Sequence, residues 1–145
     1  SEAEEMATTQ RSTPPPSEQR ILVLDDEPLI GDFLVGALAG HHVEVTTDGH
    51  EALKRVADGS FDLVLCDLRM PRMSGIEFYT ELCRRRPDLS ASFVLMTGAA
   101  IDEELRLFLG NNAVPVLRKP FDMSELNQCV MRSVRNRGSR PRRAC

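Results

Sequence analysis

The sequence predicts an α/β fold: a five-stranded parallel sheet with helices on both faces. Two observations carry that prediction. Short apolar runs of β-type residues occur five times, and a stretch with helical spacing follows each one. The connections between them are short, and strand–helix alternation of this kind buries a parallel sheet between two helical layers. A third observation, polar residues closing four of the runs, bears on what the sheet holds at its rim.

Residues 1–19, SEAEEMATTQRSTPPPSEQ, are rich in Ser, Thr, Pro and Glu and have almost nothing apolar to bury, so they read as a disordered linker or arm. The first strand is Ile21–Leu24, running directly into Asp25 and Asp26. Leu29, Ile30, Phe33, Leu34, Ala37 and Leu38 then recur at the spacing of one helix face, which Gly40 ends. Val43–Thr46 is the second strand, followed by a helix carrying Ala52, Leu53, Val56 and Ala57 and ended by Gly59. The third strand, Leu63–Cys66, closes on Asp67. Its helix carries Ile76, Tyr79, Leu82 and Cys83, runs into three arginines and stops at Pro87.

Phe93–Met96 is the fourth strand and closes on Thr97; the helix of Leu105, Phe108 and Leu109 ends near Gly110. The fifth strand, Val114–Leu117, closes on Lys119-Pro120. Asp122 then caps a helix with Leu126, Cys129, Val130 and Val134 on its buried face. One domain thus spans residues 20–134, and residues 135–145 form a basic disordered tail.

The bulk numbers exclude several classes. At 145 residues the chain suits one domain with tails, and its net charge is −4. Acids outnumber bases between Arg20 and Met131, whereas arginines crowd the last residues without an acid among them. An acidic body with a basic end argues against direct nucleic-acid binding by the domain. No apolar run approaches the roughly 18 residues of a membrane span, so a cytoplasmic protein without membrane contact is expected. Cys66, Cys83, Cys129 and Cys145 show no metal-ligand spacing and no disulfide framework, and the first three read as small hydrophobes within apolar patterns.

In a parallel sheet of this kind, ligands bind beyond the carboxyl ends of the strands, at the point where strand order reverses. Asp25, Asp26, Asp67, Thr97 and Lys119 would meet there. Two carboxylates about 4 Å apart repel by roughly 4 kcal/mol at an effective dielectric near 20, so the cluster calls for a cation. Oxygen ligands without His or Cys select a hard ion, and Mg²⁺ fits a site of a few carboxylates that keeps several waters. A cation, a hydroxyl and an ammonium around one carboxylate suit a phosphoryl group, with Asp67 as the nucleophile that forms an aspartyl phosphate.

These residues resemble the receiver domains of two-component response regulators, from about Arg20 to Val134. The matching stretches are VLDDEP, TDGHEAL, FDLVLCDLRMPRMSGIE, LMTG and PVLRKPFD; the third is the most specific, with Met70-Pro71, Met73 and Gly75 spaced from Asp67 as in that family. The resemblance, not the spacing, implies a flavodoxin-like (βα)5 fold with strand order 2-1-3-4-5. It also implies that Asp67 takes a phosphoryl group from a phosphohistidine on a histidine kinase or histidine phosphotransfer protein. Asp25, Asp26, Asp67 and the backbone carbonyl of Arg69 would hold Mg²⁺, Thr97 and Lys119 would contact phosphoryl oxygens, and Pro120 would follow a cis bond. The only chemistry implied for the domain itself is Mg²⁺-dependent self-phosphorylation and dephosphorylation.

The chain departs from that pattern at Val116, where receivers commonly carry an aromatic ring that reorients on phosphorylation, and Pro115 precedes it. Gly-Ala before the last strand becomes Asn112-Ala113. The start at Ser1, the Pro-rich leader and Val116 lean toward a receiver excised from a hybrid sensor histidine kinase rather than a stand-alone regulator, and the segment itself is expected to be monomeric. Two other readings compete with the receiver: a receiver-like scaffold that is never phosphorylated, and an Asp-nucleophile phosphohydrolase. The second lacks its general acid, because position 69 is Arg.

Overall fold

The computed structural model describes residues 18–135, so the arm before Glu18 and the tail after Arg135 lie outside the described residues. Five strands, β1 (Arg20–Leu24), β2 (His42–Thr46), β3 (Leu63–Asp67), β4 (Phe93–Thr97) and β5 (Val116–Arg118), alternate with six helices. These are α1 (Pro28–Ala37), α2 (Gly49–Asp58), α3 (Gly75–Arg85), α4 (Pro87–Ser90), α5 (Glu103–Asn111) and α6 (Met123–Arg135). The sheet is all parallel in the order β2-β1-β3-β4-β5. Among the described residues no helix is long and apolar enough to cross a membrane.

Alternation along the strands sorts the core into two layers. Leu22, Leu24, Val64, Cys66, Phe93 and Leu95 face one way, against Leu53 and Val56 of α2, Phe78, Tyr79 and Leu82 of α3, and Leu105 and Phe108 of α5. Ile21, Val23, Leu63, Leu65, Val94, Met96 and Leu117 face the other way, against Leu34 and Leu38 beside α1 and Leu126, Cys129 and Val130 of α6. Every residue of β3 and β4 is buried. Each such Leu, Val or Phe contributes about 1.5–3 kcal/mol, so the central strands carry much of the sheet's burial energy. Tyr79 joins the layers' elements on one face, its ring centroid 4.9 Å from that of Phe93 and 5.4 Å from that of Phe108.

Side chains set where the helices begin. Asp48 accepts the His50 N–H at 2.8 Å, Ser74 and Glu77 bond reciprocally across the first turn of α3, and Asp102 accepts the Leu105 N–H at 2.9 Å. The expected cap at Asp122 is present, and Glu125 returns a bond to the Asp122 N–H.

Three local expectations need correction. The fifth strand begins at Val116 rather than Val114, because the Val114 N–H turns back to the Asn112 carbonyl and Pro115 has no N–H to offer. Pro87 does not only stop α3: it opens the extra turn α4, where a proline's missing N–H costs nothing. Cys66 and Cys129 are buried thiols as expected, and Cys83 packs against the core as its apolar pattern implied, but it is disulfide-bonded, against the expectation of free thiols.

Candidate functional site

Strand order reverses between β1 and β3, each of which pairs with neighbours on opposite sides. The carboxyl ends of β1, β3, β4 and β5 deliver Asp25 and Asp26, Asp67, Thr97 and Lys119 to one cleft of about 320 Å³. Asp26, Glu27, Asp67, Arg69, Thr97 and Lys119 line it, while Asp25 sits beneath with 1% of its surface exposed. All five side chains singled out from the sequence therefore lie together.

The loop from β3 to α3 is held tightly under the site. Gly75 donates its N–H to the Leu68 carbonyl, and a Cβ at Gly75 would lie 2.6 Å from the Asp67 carbonyl oxygen and 2.8 Å from Leu95 Cδ1. Only glycine lets α3 start so close to the end of β3. Arg72 turns the loop at φ 70°, and its guanidinium reaches Asp48 at 3.3 Å. On the far side the Lys119-Pro120 bond is cis, as the resemblance implied.

Lys119 is the centre of the charge arrangement. Its Nζ donates to Asp25 Oδ2 at 2.7 Å, lies 3.0 Å from Asp67 Oδ1, and reaches Glu27 Oε1 at 3.4 Å. The repulsion built into Asp25-Asp26 is thus relieved in part by the protein's own ammonium, which sequence reasoning had assigned to phosphoryl oxygens alone. Burial lowers the pKa of Lys119, but its bonds to Asp25 and Asp67 outweigh this and hold it above its ordinary value. Burial raises the pKa of Asp67 to about 6; the bond to Lys119 opposes the rise, and the charges of Asp25 and Asp26 add to it.

Thr97, 2% exposed, accepts the Ala99 N–H at 3.1 Å through its hydroxyl oxygen. The hydroxyl hydrogen remains to donate toward the cleft. Gly98 beside it leaves space, since a Cβ there would meet Lys119 only at ordinary contact distance, 3.6 Å. Asp25, Asp26 and Asp67 each offer an oxygen within 4.8 Å of the others, a spacing and donor chemistry that fit a hard divalent cation.

Sequence reasoning missed two participants. Glu27 belongs to the Lys119 cluster; its position directly after the acid pair was the available signal. Arg69, expected at the site only through its backbone carbonyl, lines the cleft, and its guanidinium pairs with Asp102 at 3.1 Å, a contact across 33 residues that no local spacing announces.

Comparison with known proteins agrees with this geometry. The family model described as response regulator receiver domain matches residues 21–131. The transcriptional regulatory protein TcrA of Mycobacterium tuberculosis is 35% identical over 125 residues, covering 85% of this chain and 48% of that protein. The regulatory protein AtoC of Escherichia coli is 37% identical over 117 residues, covering 79% of this chain and 25% of that one. The chain therefore spans about half of the first relative and about a quarter of the second. Among solved structures, the chemotaxis protein CheY4 of Vibrio cholerae superposes with a TM-score of 0.71 at 27% identity, covering 80% of this chain and 98% of that one.

Proposed function

The chain belongs to the response regulator receiver domain family, and from that premise we propose that Asp67 is its phosphoacceptor, taking a phosphoryl group from a phosphohistidine on a histidine kinase or phosphotransfer protein. The observation that carries this reading is the meeting of Asp25, Asp26, Asp67, Thr97 and Lys119 where the strand order reverses. In the transfer, the donor's N–P bond breaks as a P–O bond forms to the Asp67 carboxylate, and the departing ring nitrogen keeps the electron pair and takes up a proton from solvent, so that the imidazole leaves neutral.

The chain's own residues prepare that step. Burial raises the Asp67 pKa to about 6 in the metal-free cleft, which still leaves the carboxylate mostly ionised at neutral pH and available to attack. Lys119, already 3.0 Å from Asp67 Oδ1, keeps positive charge beside the transferred group. The Thr97 hydroxyl donates to a phosphoryl oxygen while the Ala99 N–H fixes its position. Asp25, Asp26, Asp67 and the Arg69 carbonyl would hold Mg²⁺, which when bound supplies positive charge to the transferring oxygens.

The domain covers residues 20–134 in this reading and works in the cytoplasm. The names of TcrA and AtoC favour a regulator as the parent chain over the hybrid kinase toward which Val116 and the leader lean. The test is incubation with a small acyl phosphate and Mg²⁺. The wild-type chain gains one acid-stable, base-labile phosphoryl group, and chelation of the cation or Asp67→Asn abolishes the gain. Labelling indifferent to both changes would contradict the assignment.

A further inference from the structure

Arg69 follows Asp67 by two residues, so its Cα lies within about 7 Å of the acceptor's. Arg69 lines the same cleft as Asp67, Thr97 and Lys119, yet its guanidinium is paired elsewhere. Nη2 donates to Asp102 Oδ2 at 3.1 Å, while Asp102 Oδ1 accepts the Leu105 N–H at 2.9 Å as the N-cap of α5. One carboxylate thus holds the mouth of the cleft and the first turn of a helix together.

The arrangement is poised for exchange. The pair is exposed, 62% at Arg69 and 49% at Asp102, and ion pairs so exposed hold weakly. Lys119 is already shared among Asp25, Asp67 and Glu27. Phosphorylation replaces the single negative charge of the Asp67 carboxylate with an acyl phosphate of up to about two, a net gain of about one spread over three exposed oxygens. Among the described residues lining the cleft, the one other cation is Arg69. Its planar fork matches phosphoryl oxygens more fully than the single oxygen it now meets on Asp102. Once Arg69 leaves, Asp102, Glu103 and Glu104 stand in succession without that counter-charge, and Arg106 remains paired to Glu103.

We propose that Arg69 changes partners on phosphorylation, leaving Asp102 for the phosphoryl oxygens and so carrying the event to the first turn of α5. The inference rests on Asp67 as phosphoacceptor, and it supplies a route to α5 that does not need the ring missing at Val116. The signal travels through two loops, those after Asp67 and after Thr97, and leaves β5 in place.

The test uses beryllofluoride with Mg²⁺ as the phosphoryl probe on the wild-type chain, Arg69→Ala, Arg69→Lys and Asp102→Asn, read by NMR. Asn retains the capping oxygen, so α5 keeps its start. In the wild type the probe shifts the Leu105 and Arg106 amides. Arg69→Ala binds the probe about three- to tenfold more weakly and loses those shifts, and Arg69→Lys recovers part of the affinity. Asp102→Asn binds it more tightly than wild type, because the guanidinium is released in advance. Wild-type affinity in Arg69→Ala, or Leu105 shifts that persist in it, would overturn the inference while leaving the receiver reading intact. A wild-type chain that takes no probe at all would remove both.

Discussion

Replacing Asp67 by Asn removes one charge from the cluster with almost no change of shape, and the metal-free fold gains stability from it. Burial raises the pKa of Asp67 from 3.8 to about 6, even with Lys119 at 3.0 Å. The native carboxyl therefore binds its proton more tightly than the unfolded chain's does. Stability falls as pH rises from about 4 through 6, and the whole penalty is present at pH 7. At 1.36 kcal/mol per pH unit, ionised Asp67 costs about 3 kcal/mol. Asp67→Asn in a chelating buffer at pH 7 is thus more stable by up to about 3 kcal/mol, a rise in Tm of roughly 10 °C for a domain of this size. Thermal and urea melts from pH 4 to 8 measure it. The two proteins converge near pH 4 and separate above pH 6. Saturating Mg²⁺ at about 100 times its Kd restores about 2.7 kcal/mol to the wild type and little to the variant. An Asp67→Asn protein that melts below wild type at pH 7, or a gap that acid does not close, would refute the reasoning.

Thr97→Ala removes the hydroxyl that donates to the incoming group, at the cost of one loop bond from the Ala99 N–H, so phosphorylation by a small acyl phosphate slows by about ten- to a hundredfold while the fold persists; a rate within twofold of wild type would count against the role. Gly75→Ala places a Cβ 2.6 Å from the Asp67 carbonyl oxygen and 2.8 Å from Leu95 Cδ1, which destabilises the domain by about 1–3 kcal/mol in urea melts and slows phosphorylation by moving Asp67. A phosphoryl group shifts a conformational equilibrium only through contacts that differ between the two states, and Val116 provides no ring to bury. NMR mapping with beryllofluoride accordingly finds the larger changes in the loops after Asp67 and Thr97 and small ones in β5. A wide rearrangement of β5 and all of α5, or probe-induced dimers by light scattering, would defeat that expectation.

The strand ends were legible because burial and charge conflict there in the sequence itself. Ile21–Leu24 demands a dry interior and Asp25-Asp26 demands water or a cation, so the boundary falls between them, and the structure ends β1 at Leu24. Asp67 and Thr97 stand just past their apolar runs in the sequence, yet they are the last residues within β3 and β4. The resting partners of Lys119 were not legible, since they depend on how three strand ends align in space and not on any spacing along the chain. Arg69 and Asp102 meet for the same reason, through two loops whose path local pattern does not encode. At β5 the apolar run VPV misled, because an apolar side chain at Val114 says nothing of where its N–H bonds.

The central claim is that the Asp67 carboxylate carries the phosphoryl group. After reaction with an acyl phosphate and Mg²⁺, borohydride reduces an aspartyl phosphate to a homoserine residue that peptide mass spectrometry can place. The account predicts that residue at position 67 and nowhere else. Reduction at Asp25 or Asp26, or phosphate found on His41, His42 or His50 with position 67 unmodified, would contradict it.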